Sequence, residues 1–150
     1  MTSFRLLTAM MLAGATLSLP ASAEDAPGDA VASLQLELTG LAPQTGAVRV
    51  ALFADEDSYE SGPPFRGVVV PVDETTETWE FDGLVPGEYA IKLFHDIDGD
   101  EEMATNPFGI PTEPYGFSNN ARGNFGPAKW EKARFAVEAG ENSHAISLGN

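Results

Sequence analysis

Residues 81–96 read FDGLVPGEYAIKLFHD, and this stretch decides the fold. Pro86-Gly87 is a turn dipeptide, because proline presets its own φ and glycine accepts conformations closed to other residues. Beyond the turn, Tyr89, Ile91 and Leu93 alternate with Ala90, Lys92 and Phe94. A period of two belongs to a strand with two different faces. Before the turn, ETWEF (77–81) sets Trp79 and Phe81 against Thr78 and Glu80. A tyrosine just inside the second strand can donate its hydroxyl back across the corner, a device of β-sandwiches. The stretch therefore predicts strand, tight corner, strand.

Working outward, SLQLELT (33–39) alternates Leu34, Leu36 and Leu38 with polar residues, and AVRVALFA (47–54) alternates Val48, Val50 and Leu52. RGVVVPV (66–72) is β-branched, KWEKARFAVE (129–138) alternates apolar residues with charges, and HAISL (144–148) ends the pattern. Residues 55–65 read as a loop around Pro63-Pro64, and no window carries a convincing 3.6-residue period. Seven short strands with turn signals between them predict an all-β domain, an antiparallel seven-stranded sandwich with Greek-key links. A small closed barrel is the alternative.

The amino-terminal residues read as a targeting signal. Arg5 precedes an apolar run, Leu6 to Leu19, and Pro20 with Ala21-Ser22-Ala23 supplies a small-residue cleavage site. We expect a signal peptide over 1–23, a flexible leader over 24–32 and one domain over 33–150, in a periplasmic or secreted protein. The apolar run is shorter than the roughly 20 residues a membrane span needs, so no integral membrane segment is expected after cleavage. There is no cysteine, which excludes disulfides and a cysteine-linked lipid anchor. The chain carries 23 acids against 8 bases, a net charge of −15. Such a balance disfavours nucleic acid and anionic membrane surfaces and suits solubility and divalent cations.

One long segment, 97–128, reads as neither helix nor strand, yet holds Phe108, Tyr115, Phe117 and Phe125. Loops of this length are functional or disordered, and its apolar content predicts an ordered excursion packed on one end of the domain. Its aromatics either line a shallow pocket or hold the loop down; we expect the latter. The segment opens on DIDGDEE (96–102), five carboxylates in seven residues. Asp96, Asp98, Asp100 and Glu102 are the candidate ligands of a calcium ion, which takes six to eight oxygens. The pattern is not an EF-hand, since the glycine falls early and Pro107 stands where a bidentate acid is needed. A solvated acidic turn is the other reading.

The F-x-x-L-x-P-G-x-Y pattern of Phe81, Leu84, Pro86, Gly87 and Tyr89 resembles the strand-turn-strand of transthyretin-like and collagen-binding B-type sandwich domains. More specifically, Tyr89-Ala90-Ile91, Phe94-His95-Asp96 and the run Gly109-Ile110-Pro111, Glu113, Tyr115-Gly116-Phe117-Ser118-Asn119-Asn120 resemble the signature of a family of secreted bacterial proteins, domain of unknown function 2141. The family's acidic loop is D-x-N-G-N-G-x-x-D. Asp96, Asp98, Gly99 and Asp100 match it, while Glu101 and Ala104 depart from it. The resemblance implies export and a transthyretin- or immunoglobulin-like sandwich, and no established activity.

The expected function is a binding or interaction role at the cell envelope, toward an envelope protein or a small ligand, without catalysis. His95, Glu113, Tyr115, Phe117, Ser118, Asn119 and Asn120 form the candidate binding surface. The alternative is an envelope hydrolase or metal-dependent enzyme centred on His95 and the acidic loop. A Ser118-His95-Asp96 set would serve hydrolysis, but no nucleophile elbow accompanies it.

Overall fold

The computed structural model describes residues 31–149; the expected signal peptide and most of the expected leader lie outside them. Eight strands form two open sheets. The strands are β1 (Ala32–Thr39), β2 (Ala47–Phe53), β3 (Arg66–Pro71), β4 (Thr76–Leu84), β5 (Gly87–Asp96), β6 (Tyr115–Phe117), β7 (Phe135–Val137) and β8 (Gly140–Ser147). One sheet runs β4-β1-β8 and the other β3-β2-β5-β6, with β7 also paired to β5. The sheets are not purely antiparallel as expected: β1 and β8 pair in parallel over Ala32–Thr39 and Gly140–Ser147. A parallel pair needs a long crossover, and the whole intervening chain supplies it.

The predicted alternation holds where it matters. Leu34, Leu36 and Leu38 of β1, Val48, Val50 and Leu52 of β2, and Tyr89, Ile91 and Leu93 of β5 join one buried cluster that draws on both sheets. The Tyr89 hydroxyl donates to the Val85 carbonyl at 2.8 Å, closing the corner read in the sequence. Gly46 marks a close approach: a Cβ there would lie 2.2 Å from the Asp96 carbonyl oxygen, so the start of β2 presses on the end of β5.

Two stretches differ from expectation. Residues Glu56–Ser61, read as loop, form a short helix α1 capped by Asp55, whose carboxylate accepts the Ser58 N–H at 2.8 Å. Residues Trp130–Ala133, read as strand, form a helical turn α2 that precedes β7. The spacing explains the correction, since Trp130 and Ala133 lie one turn apart and share one face. They bury that face against Phe53 of β2, Ala90 of β5 and Tyr59 of α1, on the outer side of the sheet. The outer face of β5 is thus covered at one end, which is why its Ala90 is as buried as Ile91. No helix among the described residues is long and apolar enough to cross a membrane.

Candidate functional site

The segment after β5 is ordered in four pieces. The acidic turn is built from side chain to backbone bonds: Asp96 Oδ1 accepts the Gly99 N–H at 2.8 Å, Asp98 the Asp100 N–H, and Asp100 the Glu102 N–H. Such turns are what closely spaced aspartates offer a chain. A small hairpin follows, with Thr105 bridged to Pro111 and the Asn106 side chain accepting the Phe108 and Ile110 N–H groups. Strand β6 and a 3₁₀ turn, Ser118–Asn120, come next, and residues 122–127 return the chain to α2. The excursion therefore contains a strand, β6, where neither helix nor strand was expected.

Each sequence-predicted residue now has a place. Asp96, 1% exposed, lies on the outer face of β5 and receives Arg49 Nε at 2.7 Å; Arg49 also meets Glu101 at 3.2 Å. The Arg49 hydrogen bond, aided by the Gly99 and Glu101 amides, outweighs burial and holds the Asp96 carboxyl below its ordinary value. Glu113 is buried, and its two oxygens accept the Ile97 N–H at 2.9 Å and the Ala104 N–H at 3.0 Å. One oxygen each of Asp96, Asp98 and Glu113 lie within 4.8 Å of one another. Asp100 and Glu102, expected as ligands, stand outside that group, and Glu113 joins it instead. The oxygens of Asp96 and Glu113 already accept donors from the protein itself.

His95 is fully buried. Its Nε2 sits 2.6 Å from the Thr45 carbonyl, and its Nδ1 is the one buried side-chain nitrogen or oxygen without a hydrogen bond among the described residues. Ser118 is fully buried too; it accepts the Ile91 N–H at 2.9 Å and donates to the Ala133 carbonyl at 2.6 Å. That hydroxyl fills the gap in the β5 edge between β6, which pairs Lys92–Phe94, and β7, which pairs Gly87–Tyr89. Asn119 donates through its side-chain amide to the Lys132 and Arg134 carbonyls, ending α2, and its N–H reaches His144 Nε2 at 2.9 Å. Asn120 accepts the Ser147 N–H of β8 at 2.8 Å. The Ser118-Asn119-Asn120 run fastens β5 and α2 of one side to β8 of the other. Its side chains are committed to the fold.

Tyr115, partly exposed, and Phe117, buried, lie on the groove side of β6. Together with Arg49, Ala51, Lys92 and Phe94 from the outer faces of β2 and β5 they floor a groove of about 770 Å³. The hairpin residues Met103, Phe108 and Ile110 and the loop residues Phe125 and Pro127 complete its lining. Phe108 is 88% exposed, Ile110 58% exposed, and Phe125 wholly exposed. These aromatics do not hold the loop down, as the sequence reading expected; only Phe117 does, buried edge-on against Tyr115 at 5.9 Å. Sequence reasoning missed Arg49, Lys92 and Phe94, whose signal was their shared outward phase on β2 and β5.

Lys92 is half-buried in this floor. Its ammonium donates to the Tyr59 carbonyl and lies 4.1 Å from the Tyr59 ring centre and 5.2 Å from that of Phe53. Burial lowers its affinity for the proton from the ordinary lysine value, and the charge of Glu60 partly opposes this. Tyr59, in turn, is pushed up to about 12 by burial and donates its hydroxyl to the Ala128 carbonyl at 2.8 Å.

With this geometry in hand, the family model described as "Uncharacterized protein conserved in bacteria (DUF2141)" matches residues 36–145, and the chain belongs to that family. No curated protein and no solved structure matches it.

Proposed function

We propose, for this member of the DUF2141 family, an exported non-enzymatic β-sandwich of transthyretin or immunoglobulin type that binds an apolar guest at the cell envelope. The groove over the outer face of β2 and β5 is its site. One observation carries the reading: Phe108, Ile110 and Phe125 stand exposed at the rim of an apolar depression rather than packed into it. Exposed large apolar groups gathered around a groove mark a binding surface, since scattered ones would cost nothing to replace. The volume lies inside the range of roughly 300–1,000 Å³ typical of ligand sites.

The commitments of the catalytic candidates support the non-enzymatic side. Ser118 Oγ is bound at both ends, His95 Nε2 faces the Thr45 carbonyl, and Asp96 turns outward to Arg49. None of these is arranged as nucleophile, base and orienting acid. Export is supported by the signal-like residues 1–23.

The test uses a neutral apolar dye, N-phenyl-1-naphthylamine, titrated into the purified protein. Saturable fluorescence enhancement is expected, weakened several-fold in a Phe108→Ala, Ile110→Ser double variant that leaves the melting temperature in place. Undiminished dye binding in that variant would remove the groove from the proposal.

A further inference from the structure

The groove's charge is out of keeping with the rest of the molecule. The chain has 23 acidic and 8 basic residues, yet no acid lines the groove, while Arg49 and Lys92 do. Arg49 is neutralised by Asp96 and Glu101. Lys92 is different, because it takes part in none of the ion pairs among the described residues, and the Glu60 carboxylate that acts on it from beyond ion-pair distance is itself paired with Lys129. An ammonium has three donors, and the Tyr59 carbonyl takes one. The aromatic faces of Phe53 and Tyr59 stabilise the cation without neutralising it. The ammonium thus sits at the Tyr59 end of the groove, while the Lys92 side chain shares the lining with Phe94, Tyr115 and Phe117, Phe117 being its partner in register. A half-buried, unpaired cation beside an apolar channel is a poor arrangement for an empty surface and a good one for an anion that arrives attached to hydrocarbon.

Resting on the groove reading above, we infer that the guest is a single-chain amphiphile with an anionic head. The head lies at Lys92, and the tail lies along Phe94, Tyr115 and Phe117 toward the exposed rim. Long-range electrostatics works against this choice, because a molecule of net charge −15 repels anions. A preference for the anionic head would therefore have to come from local contact. Bulk attraction would produce the opposite order.

The experiment displaces bound N-phenyl-1-naphthylamine with three twelve-carbon amphiphiles, each below its aggregation concentration: laurate, dodecanol and dodecyltrimethylammonium. Laurate is expected to displace the dye at the lowest concentration. Lys92→Met should weaken laurate on the order of tenfold, the loss of one hydrogen bond to a charged group, and should shift dodecanol far less. Lys92→Gln serves the same comparison if the methionine variant melts early. Equal displacement by all three amphiphiles in the native protein, or an unchanged laurate affinity in both variants, overturns the anionic-head inference while the apolar groove stands. Failure of all three to displace a dye that binds overturns the inference and removes the groove from the proposed function as well.

Discussion

At the scale of single residues, the two histidines show how position sets a side chain's job. His95 occupies a core-facing place in β5 opposite Val48, where nothing but the Thr45 carbonyl meets its ring nitrogens. His144 lies half-buried on β8, stacked 4.0 Å from the Phe135 ring, with Nε2 accepting the Asn119 N–H. Only a neutral imidazole can accept there, and burial lowers its pKa from the ordinary 6.5. The unfolded chain therefore takes up the proton first as pH falls. Stability contributed by neutral His144 is complete above about pH 6.5 and is lost as pH drops through the folded-state value. The melting temperature should fall across that window. His144→Gln, whose side-chain oxygen still accepts the amide, should show a shallower fall. Parallel curves for the two proteins would show that this contact is not linked to proton uptake.

At the scale of elements, strands β1, β2 and β5 were legible because each buries one face, and burial of one face prints a period of two in the sequence. The two helical pieces were not. They are under two turns long, and α2 is recognisable only through the burial of Trp130 and Ala133 on the covered outer face of β5. Strand β6 was hidden for a related reason. It has three residues and is held by its neighbours, pairing Lys92–Phe94 on one side and Gly149 on the other. The Ser118 hydroxyl completes that edge by bridging the Ile91 N–H to the Ala133 carbonyl. Ser118→Ala leaves both groups buried and unpaired, at a cost of about 2 kcal/mol. Urea unfolding should show this as a lower midpoint with an unchanged slope. A midpoint shift under about 0.5 kcal/mol would mean that water replaces the hydroxyl at no cost.

At the scale of the whole molecule, the acidic excess and the acidic turn are separate matters. Asp96 and Glu113 already accept Arg49 and four backbone N–H groups, so the turn is braced by the protein's own donors. Calcium and magnesium at matched ionic strength are accordingly expected to raise the melting temperature by the same small amount, through screening of a charge of −15. A dedicated calcium site with a dissociation constant of about 10⁻⁴ M would instead add about 2.7 kcal/mol at roughly 10 mM. A rise with calcium alone that disappears in Asp98→Ala would assign the Asp96, Asp98 and Glu113 oxygens to the ion.

The run Tyr115 to Asn120 shows what each level decides. From the sequence alone came the predominance of β structure, the corner at Pro86–Tyr89, the core phases of β1, β2 and β5, and an ordered excursion after Asp96. These depend on local periodicity and turn chemistry, which the chain carries without reference to distant partners. The sequence also marked the 115–120 run as special, but as a single binding surface. Tertiary structure divided it: Tyr115 and Phe117 went to the groove, while Ser118, Asn119 and Asn120 became fasteners between β5, α2 and β8. It also set Arg49 and Lys92 beside one another's strands on the groove floor, 43 residues apart in register Arg49–Phe94 and Ala51–Lys92. Which side chains share a surface depends on strand register and on what covers each face, and both are settled only when remote segments pack.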